Sequence, residues 1–288
     1  MSIYRVMLSF TVILSIFMFS DVKAMYLLGL AENDFLAEQG TPPPGANIRS
    51  CRPSPEHPNP IVLVPGTFET MDRNWVNLSP ILAAEGYCVY SLNYGRTIAG
   101  PSTGKIEHSA EELNQFIEKV LEHTGAKKVS IIGHSQGGMM PRYYMKYLGG
   151  AKKVDDLIGL TPSNHGTEGA VGLGLTLTAT ELASCTACVQ QKAGSEFLLN
   201  LNDGEETIGT ISYTVITTKT DEIVVPYTSA FLSGPEKRLM NITLQDYFPL
   251  DMTGHLLIAN DPNVFSFIFD ALEYDGPANP ARALLTAR

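Results

Sequence analysis

The sequence is short of positive charge. Lysine and arginine number 20 against 30 aspartates and glutamates, a formal net charge of −10. So acidic a chain disfavours nucleic acid and anionic membrane surfaces as partners. No internal repeat is visible, which excludes a stacked-repeat architecture. Long apolar runs are missing beyond the first residues. Val6 to Phe19 is apolar but too short and too interrupted to read as a bilayer span. With Arg5 before it and Val22-Lys23-Ala24 after it, the stretch reads as a secretory signal over residues 1–24, an uncleaved anchor being the alternative.

Cysteine is scarce as well, with four in the chain: Cys51, Cys88, Cys185 and Cys188. An even number after a signal segment points to disulfides and to a secreted, extracellular or periplasmic protein. Four cysteines allow three pairings. Cys185 and Cys188 are close enough to bridge each other, which would leave Cys51 with Cys88. A metal site would need further ligands, and no histidine lies near Cys185 and Cys188 in the sequence. A thioredoxin-like redox motif would open a helix straight after a strand, which this pair does not.

What is present is a large apolar complement, 44% of 288 residues, enough for a sizeable core. One domain over residues 25–288 is expected. Ile61-Val-Leu-Val64 and Val129-Ser-Ile-Ile132 read as strands buried on both faces, and 87–92, 154–160 and 211–218 as further strands. Between them lie helical patterns: about 74–85, a stretch opened by a Ser109-Ala-Glu-Glu112 capping box and closed at Gly125, a helix after Ser135, and a last one from Asp261-Pro262. Alternating strands and helices imply an α/β fold, a mostly parallel sheet covered on both faces. Residues 276–288 read as a loose tail. Residues 166–192 are a candidate cap or lid: no charge occurs between Glu168 and Glu181. The alternative is an ordinary loop with a short helix.

Gly133-His-Ser135-Gln-Gly137 is the most informative stretch. It joins a strand to a helix, as in a nucleophile elbow, where a tight turn lifts a serine hydroxyl above a sheet. The pattern alone is weak, because Gly100-Pro-Ser102-Thr-Gly104 matches it too. No buried strand precedes Ser102, so that copy reads as a loop.

A serine hydroxyl needs a base, usually histidine, and a carboxylate to orient it. In the α/β-hydrolase order, Ser then acid then His, only His165 and His255 follow Ser135. His255 lies in a late loop before the last helix and is the favoured base. Asp221, where a strand empties into a loop, is the favoured acid. Glu222 is its main competitor, while Asp246 and Asp251 follow no evident strand. Oxyanion donors are expected from the N–H of Gln136, after the nucleophile, and from Thr67, by N–H and hydroxyl, in the loop after the first strand. Phe68 is a candidate for the acyl pocket.

Val62-Leu-Val-Pro-Gly-Thr67, Gly133-His-Ser-Gln-Gly-Gly138, Thr220-Asp-Glu-Ile-Val-Val-Pro226 and Gly254-His255 together resemble the bacterial class 2 triacylglycerol lipases. More distantly they are similar to yeast lipase B-type enzymes, which share Pro65 where many lipases carry histidine. Gly138-Met-Met-Pro-Arg-Tyr-Tyr and Asn164-His-Gly-Thr167 look like the actinobacterial secreted members. The resemblance implies an α/β-hydrolase that cleaves carboxylic esters without a cofactor or metal. It implies Ser135, Asp221 and His255 as the triad, Thr67 and Gln136 as oxyanion donors, and a Cys51–Cys88 bond. The expected partner is an ester or lipid, met in some cases at a lipid–water interface, and the expected state is a monomer. A short-chain carboxylesterase, a polyester or cutin hydrolase, and a catalytically silent binding module are the other readings. Asn77 and Asn241 fit glycosylation acceptors.

Overall fold

Six strands line up in the computed structural model, in the order β2-β1-β3-β4-β5-β6, and every neighbouring pair is parallel. They are β1 (Ile61–Val64), β2 (Val89–Ser91), β3 (Val129–His134), β4 (Val154–Leu160), β5 (Ser212–Thr217) and β6 (Leu239–Thr243). The structure describes residues 34–37, 39–169, 180 and 183–285. The signal segment expected over 1–24, and most of the apolar part of the expected cap, lie outside the described residues. The chain divides at Gly40 into a short N-terminal unit, in which Asp34–Ala37 is helical, and a unit from Thr41 to Arg288.

The sheet is parallel because its strands are apolar on both faces and joined by helices. Every residue of β1 and β3 is buried. Ile61 and Leu63 join Ile132, Ile158, Leu160, Ile216 and Ile242 in one apolar layer. That layer is covered by α1 (Leu78–Ala84) through Leu78 and Leu82, and by α6 (Pro262–Glu273) through Val264, Phe267 and Ile268. The opposite face carries α2 (Ile106–Thr124) and α3 (Gln136–Tyr147), which pack on each other, α3 also on β3 and β4. Each fully buried Leu, Ile or Phe contributes roughly 1.5–3 kcal/mol. Between β4 and β5 lie α4 (Thr186–Gln190) and α5 (Glu196–Asn202). Two disulfides join Cys51 to Cys88, beside β2, and Cys185 to Cys188, at the start of α4.

Several boundaries differ from the sequence reading. The helix expected over 74–85 is two pieces, Met71–Asn74 and α1. The Ser109–Glu112 capping box does not start α2, which begins at Ile106. Ser109 bonds back to the Lys105 carbonyl, and Glu112 reaches out to the Gly95 N–H. A nearby backbone donor captured the carboxylate that the capping pattern assigned to its own helix. The far end is as expected: Gly125 takes a left-handed conformation (φ 72°), and its N–H bonds to Leu121. Asp261 caps α6 by accepting the Asn263 N–H. β6 was not identified from sequence. Its Met240 and Asn241 are half-buried, as suits an edge strand. The tail read as loose from 276 carries α7 (Pro280–Leu285), where Ala283 is buried and Arg282 grips Asp270 through two nitrogens.

Candidate active site

Because all six strands run the same way, the loops after β1, β3, β5 and β6 open on one edge of the sheet. Ser135 stands at the end of β3 with φ 55° and ψ −123°, outside the comfortable regions for a side chain. Its N–H bonds to Leu160 on β4, and its carbonyl accepts from Gly138 in α3. Glycine is required on both sides. A Cβ on Gly133 would lie 1.9 Å from the Gly137 carbonyl oxygen, and one on Gly137 would lie 2.1 Å from the Val64 oxygen. The turn therefore closes only because strand, helix and neighbouring strand touch through bare backbone.

The β5 loop delivers Asp221. Its Oδ1 accepts the N–H groups of Ile223 and Val224, at 2.9 and 2.7 Å, and its Oδ2 lies 3.0 Å from Nδ1 of His255. Both side chains are buried. The carboxylate is thus pinned by its own loop, and the imidazole is oriented with Nε2 left for another partner. Glu222, the competing acid, has a different place: its Oε2 accepts the backbone N–H of His255 at 2.9 Å. A Cβ on Gly254 would lie 2.4 Å from that oxygen, so the Gly254-His255 pair is shaped around Glu222.

His134 ties these loops together from within the elbow. Its Nε2 lies 2.9 Å from the His255 carbonyl oxygen, and its Nδ1 lies 3.1 Å from Oδ1 of Asn74. The same Asn74 oxygen accepts the Gly66 N–H at 2.9 Å. Burial, then the neighbouring His255, pushes the pKa of His134 down to about 3. The neutral ring has one proton, so it can donate either to the His255 carbonyl or to the Asn74 oxygen, not to both.

The loop after β1 packs against the elbow, since a Cβ on Gly66 would lie 3.1 Å from Cβ of Ser135. The next residue is Thr67. Among the described residues, the N–H groups of Thr67 and Gln136 donate to no protein acceptor, as a helix N-terminus and an oxyanion loop both allow. The Thr67 hydroxyl donates to the Gln136 side-chain oxygen at 2.9 Å, and Gln191 contacts both. Sequence reading missed Gln191, because a glutamine at the end of a short helix carries no motif. Phe68 has φ 65° and donates its N–H to Pro101.

The remaining candidates are occupied elsewhere. His165 pairs with Glu206 at 2.8 Å, which raises its pKa. Asp246 does follow a strand, the unforeseen β6, but bonds Lys219. Asp251 accepts from Thr253 and Asn263. Ser102 lies in a loop, with its hydroxyl toward the Glu69 carbonyl and its N–H on Tyr94. Among the described residues no cluster of His, Cys, Asp and Glu could hold a metal.

The parallel sheet, the serine elbow and the Asp–His pair at the strand ends define an α/β-hydrolase. The chain belongs to the lipase (class 2) family, whose model matches residues 58–263. It is 35% identical over 91 residues to a triacylglycerol lipase of Pseudarthrobacter phenanthrenivorans, a match covering 29% of this chain and 27% of that one. Over 136 residues it is 35% identical to a triacylglycerol lipase of Vibrio cholerae, covering 41% of each. The chain thus spans less than half the length of these curated relatives. Among solved structures, lipase B of Aspergillus fumigatus superposes with a TM-score of 0.67 at 26% identity, over 80% of this chain and 56% of that one. The mature Bacillus licheniformis lipase BlEst2 shares the fold, with a TM-score of 0.58 at 16% identity over 81% and 96%.

Proposed function

We propose that the protein is a serine ester hydrolase that cleaves fatty-acid esters, acting as a triacylglycerol lipase. The observation that carries this reading is the buried Asp221–His255 pair beside a serine elbow whose two flanking N–H donors, Thr67 and Gln136, have no acceptor among the described residues. Ser135 Oγ attacks the ester carbonyl carbon and gives its proton to Nε2 of His255. Asp221 holds the ring and stabilises its charged form. The N–H groups of Thr67 and Gln136 stabilise the oxyanion. The tetrahedral adduct expels the alcohol, which takes the proton from His255. Water, deprotonated by His255, then attacks the acyl-enzyme, and Ser135 recovers its proton as the acid leaves.

Lipase is favoured over a soluble-ester esterase by the surface around the base. Leu250 (92% exposed), Met252 (75%), Leu256 (56%) and Leu257 (65%) stand out of the loop that carries His255. Four such side chains suit an apolar substrate phase. The triad comes from one chain, which fits action as a monomer. Secretion fits the two disulfides. No helix among the described residues is long and apolar enough to cross a membrane.

The test is a chain-length series from soluble short-chain esters to emulsified triglyceride, with a phosphonate probe followed by peptide mapping. Labelling at Ser135 and a rise in rate above the solubility limit are expected. Labelling elsewhere would remove the mechanism. Labelling at Ser135 with activity confined to soluble esters would leave an esterase.

A further inference from the structure

Gln191 follows the last residue of α4 and is buried, yet it belongs to neither the triad nor the pair of oxyanion N–H groups. Its side-chain nitrogen donates to the Thr67 hydroxyl oxygen and to the Gln136 side-chain oxygen, both at 2.9 Å, with the Ala187 carbonyl at 3.2 Å. Its own oxygen accepts the Ser163 hydroxyl at 2.8 Å. The Ala187 carbonyl and the Gln136 side-chain oxygen both accept, so the amide is held with its nitrogen toward Thr67; its two N–H groups serve Thr67 and Gln136, and the longer Ala187 contact shares one of them. The backbone bearing it is tied down as well. Ala187 of α4 donates to the Thr103 carbonyl, and the Cys185–Cys188 bridge closes the helix's first turn.

A threonine hydroxyl has one proton. Here Thr67 gives it to the Gln136 side-chain oxygen. To serve an oxyanion, that proton must turn away, which would strand a buried acceptor. Gln191 prevents this, because its second N–H already satisfies the Gln136 oxygen. Its first N–H holds the hydroxyl oxygen in place and leaves the proton free to rotate. We propose that Gln191 is a positioning residue for the oxyanion site, keeping the Thr67 hydroxyl poised to release its proton from Gln136 to the developing oxyanion. The inference rests on the serine-hydrolase reading, in which the Thr67 hydroxyl is already an expected donor, and adds Gln191 as the residue that positions it.

Steady-state kinetics on a soluble short-chain ester test it with Gln191→Met, which keeps length and loses both donors, alone and combined with Thr67→Val. Gln191→Glu is a second variant that keeps the shape and accepts instead of donating. Gln191→Met is expected to lower kcat about tenfold with KM within twofold. In the Thr67→Val background the same change is expected to cost less than twofold, because the hydroxyl it positions is gone. Gln191→Glu should lose at least as much kcat as Gln191→Met. A wild-type kcat in either Gln191 variant, or undiminished loss in the Thr67→Val background, overturns the inference. Ser135→Ala separates the two levels: if it retains activity, the hydrolase reading fails, whereas if it is inactive while Gln191→Met is not, only the role of Gln191 fails.

Discussion

Two segments of this molecule carry the same five-residue pattern, and they do different things. Ser135 and Ser102 are both buried and both have a positive φ, 55° and 56°. Burial and backbone conformation alone do not separate them. Around Ser135 the glycines are forced by backbone from β1, β3 and α3, and the serine stands where the strands end. Around Ser102 the pattern folds back on its own loop, with Thr103 and Gly104 donating to the Gly95 carbonyl and Pro101 accepting the Phe68 N–H. The second copy braces the loop after β1 from outside. A strained serine therefore becomes a nucleophile candidate only at the strand ends, where the sheet also brings an Asp–His pair.

That contrast can be broken by mutation. Ser135→Ala is expected to lower kcat by about 10⁶-fold, whereas Ser102→Ala should leave kcat within about twofold. Parallel rate measurements on one soluble ester check both, and equal losses would erase the distinction. Asp221→Asn should lower kcat by roughly 10⁴-fold by misorienting His255. Glu222→Gln should cost only about tenfold, because its amide oxygen can still accept the His255 N–H. A reversal of that order would make Glu222 the acid.

The glycines sharpen the comparison through stability. Gly137→Ala should destabilise by about 3 kcal/mol or more, since its Cβ has no room beside Val64 and Pro65. Gly104→Ala, with the nearest atom at 3.1 Å, should cost about 1 kcal/mol in urea unfolding. Comparable costs would mean that the elbow is no tighter than the loop.

An effect that depends on pH is expected at the opposite edge of the sheet. Burial raises the pKa of Asp156 to about 7, although the Ser130 hydroxyl opposes the rise. A raised folded-state value gives stability that is present below about pH 4 and lost as pH rises through 7. Each tenfold change in proton affinity is worth about 1.4 kcal/mol. Asp156→Asn should therefore raise the melting temperature at pH 8 and change it little at pH 4. Thermal scans at the two pH values check this, and a uniform change would contradict the sign.

Much of this arrangement was legible along the chain. The buried runs at Ile61–Val64 and Val129–Ile132, the helix closed at Gly125 and the Asp261 cap all report local chemistry, which short sequence spacing records. Chain order left His165 and His255, a late loop and a strand end favoured His255 and Asp221, and these two side chains lie 3.0 Å apart in the structure. What escaped depended on neighbours distant in sequence. Glu112 left its capping pattern for Gly95, β6 was hidden by its half-exposed residues, and Arg282 ordered the tail by reaching Asp270. Glu222 and Gln191 meet partners 33 and 124 positions away, and no spacing rule encodes such contacts.

By itself, then, the sequence determined the α/β pattern, the tight turn at Ser135 and the chain order of Ser135, Asp221 and His255. These follow from backbone geometry and from the alternation of apolar and polar residues, which are local. Only the tertiary structure decided which carboxylate faces His255 and which holds its backbone, and that a glutamine beyond α4 reaches the loop after β1. Those choices depend on which groups meet when parallel strands bring four loops to one edge, where each buried donor and acceptor must find a partner.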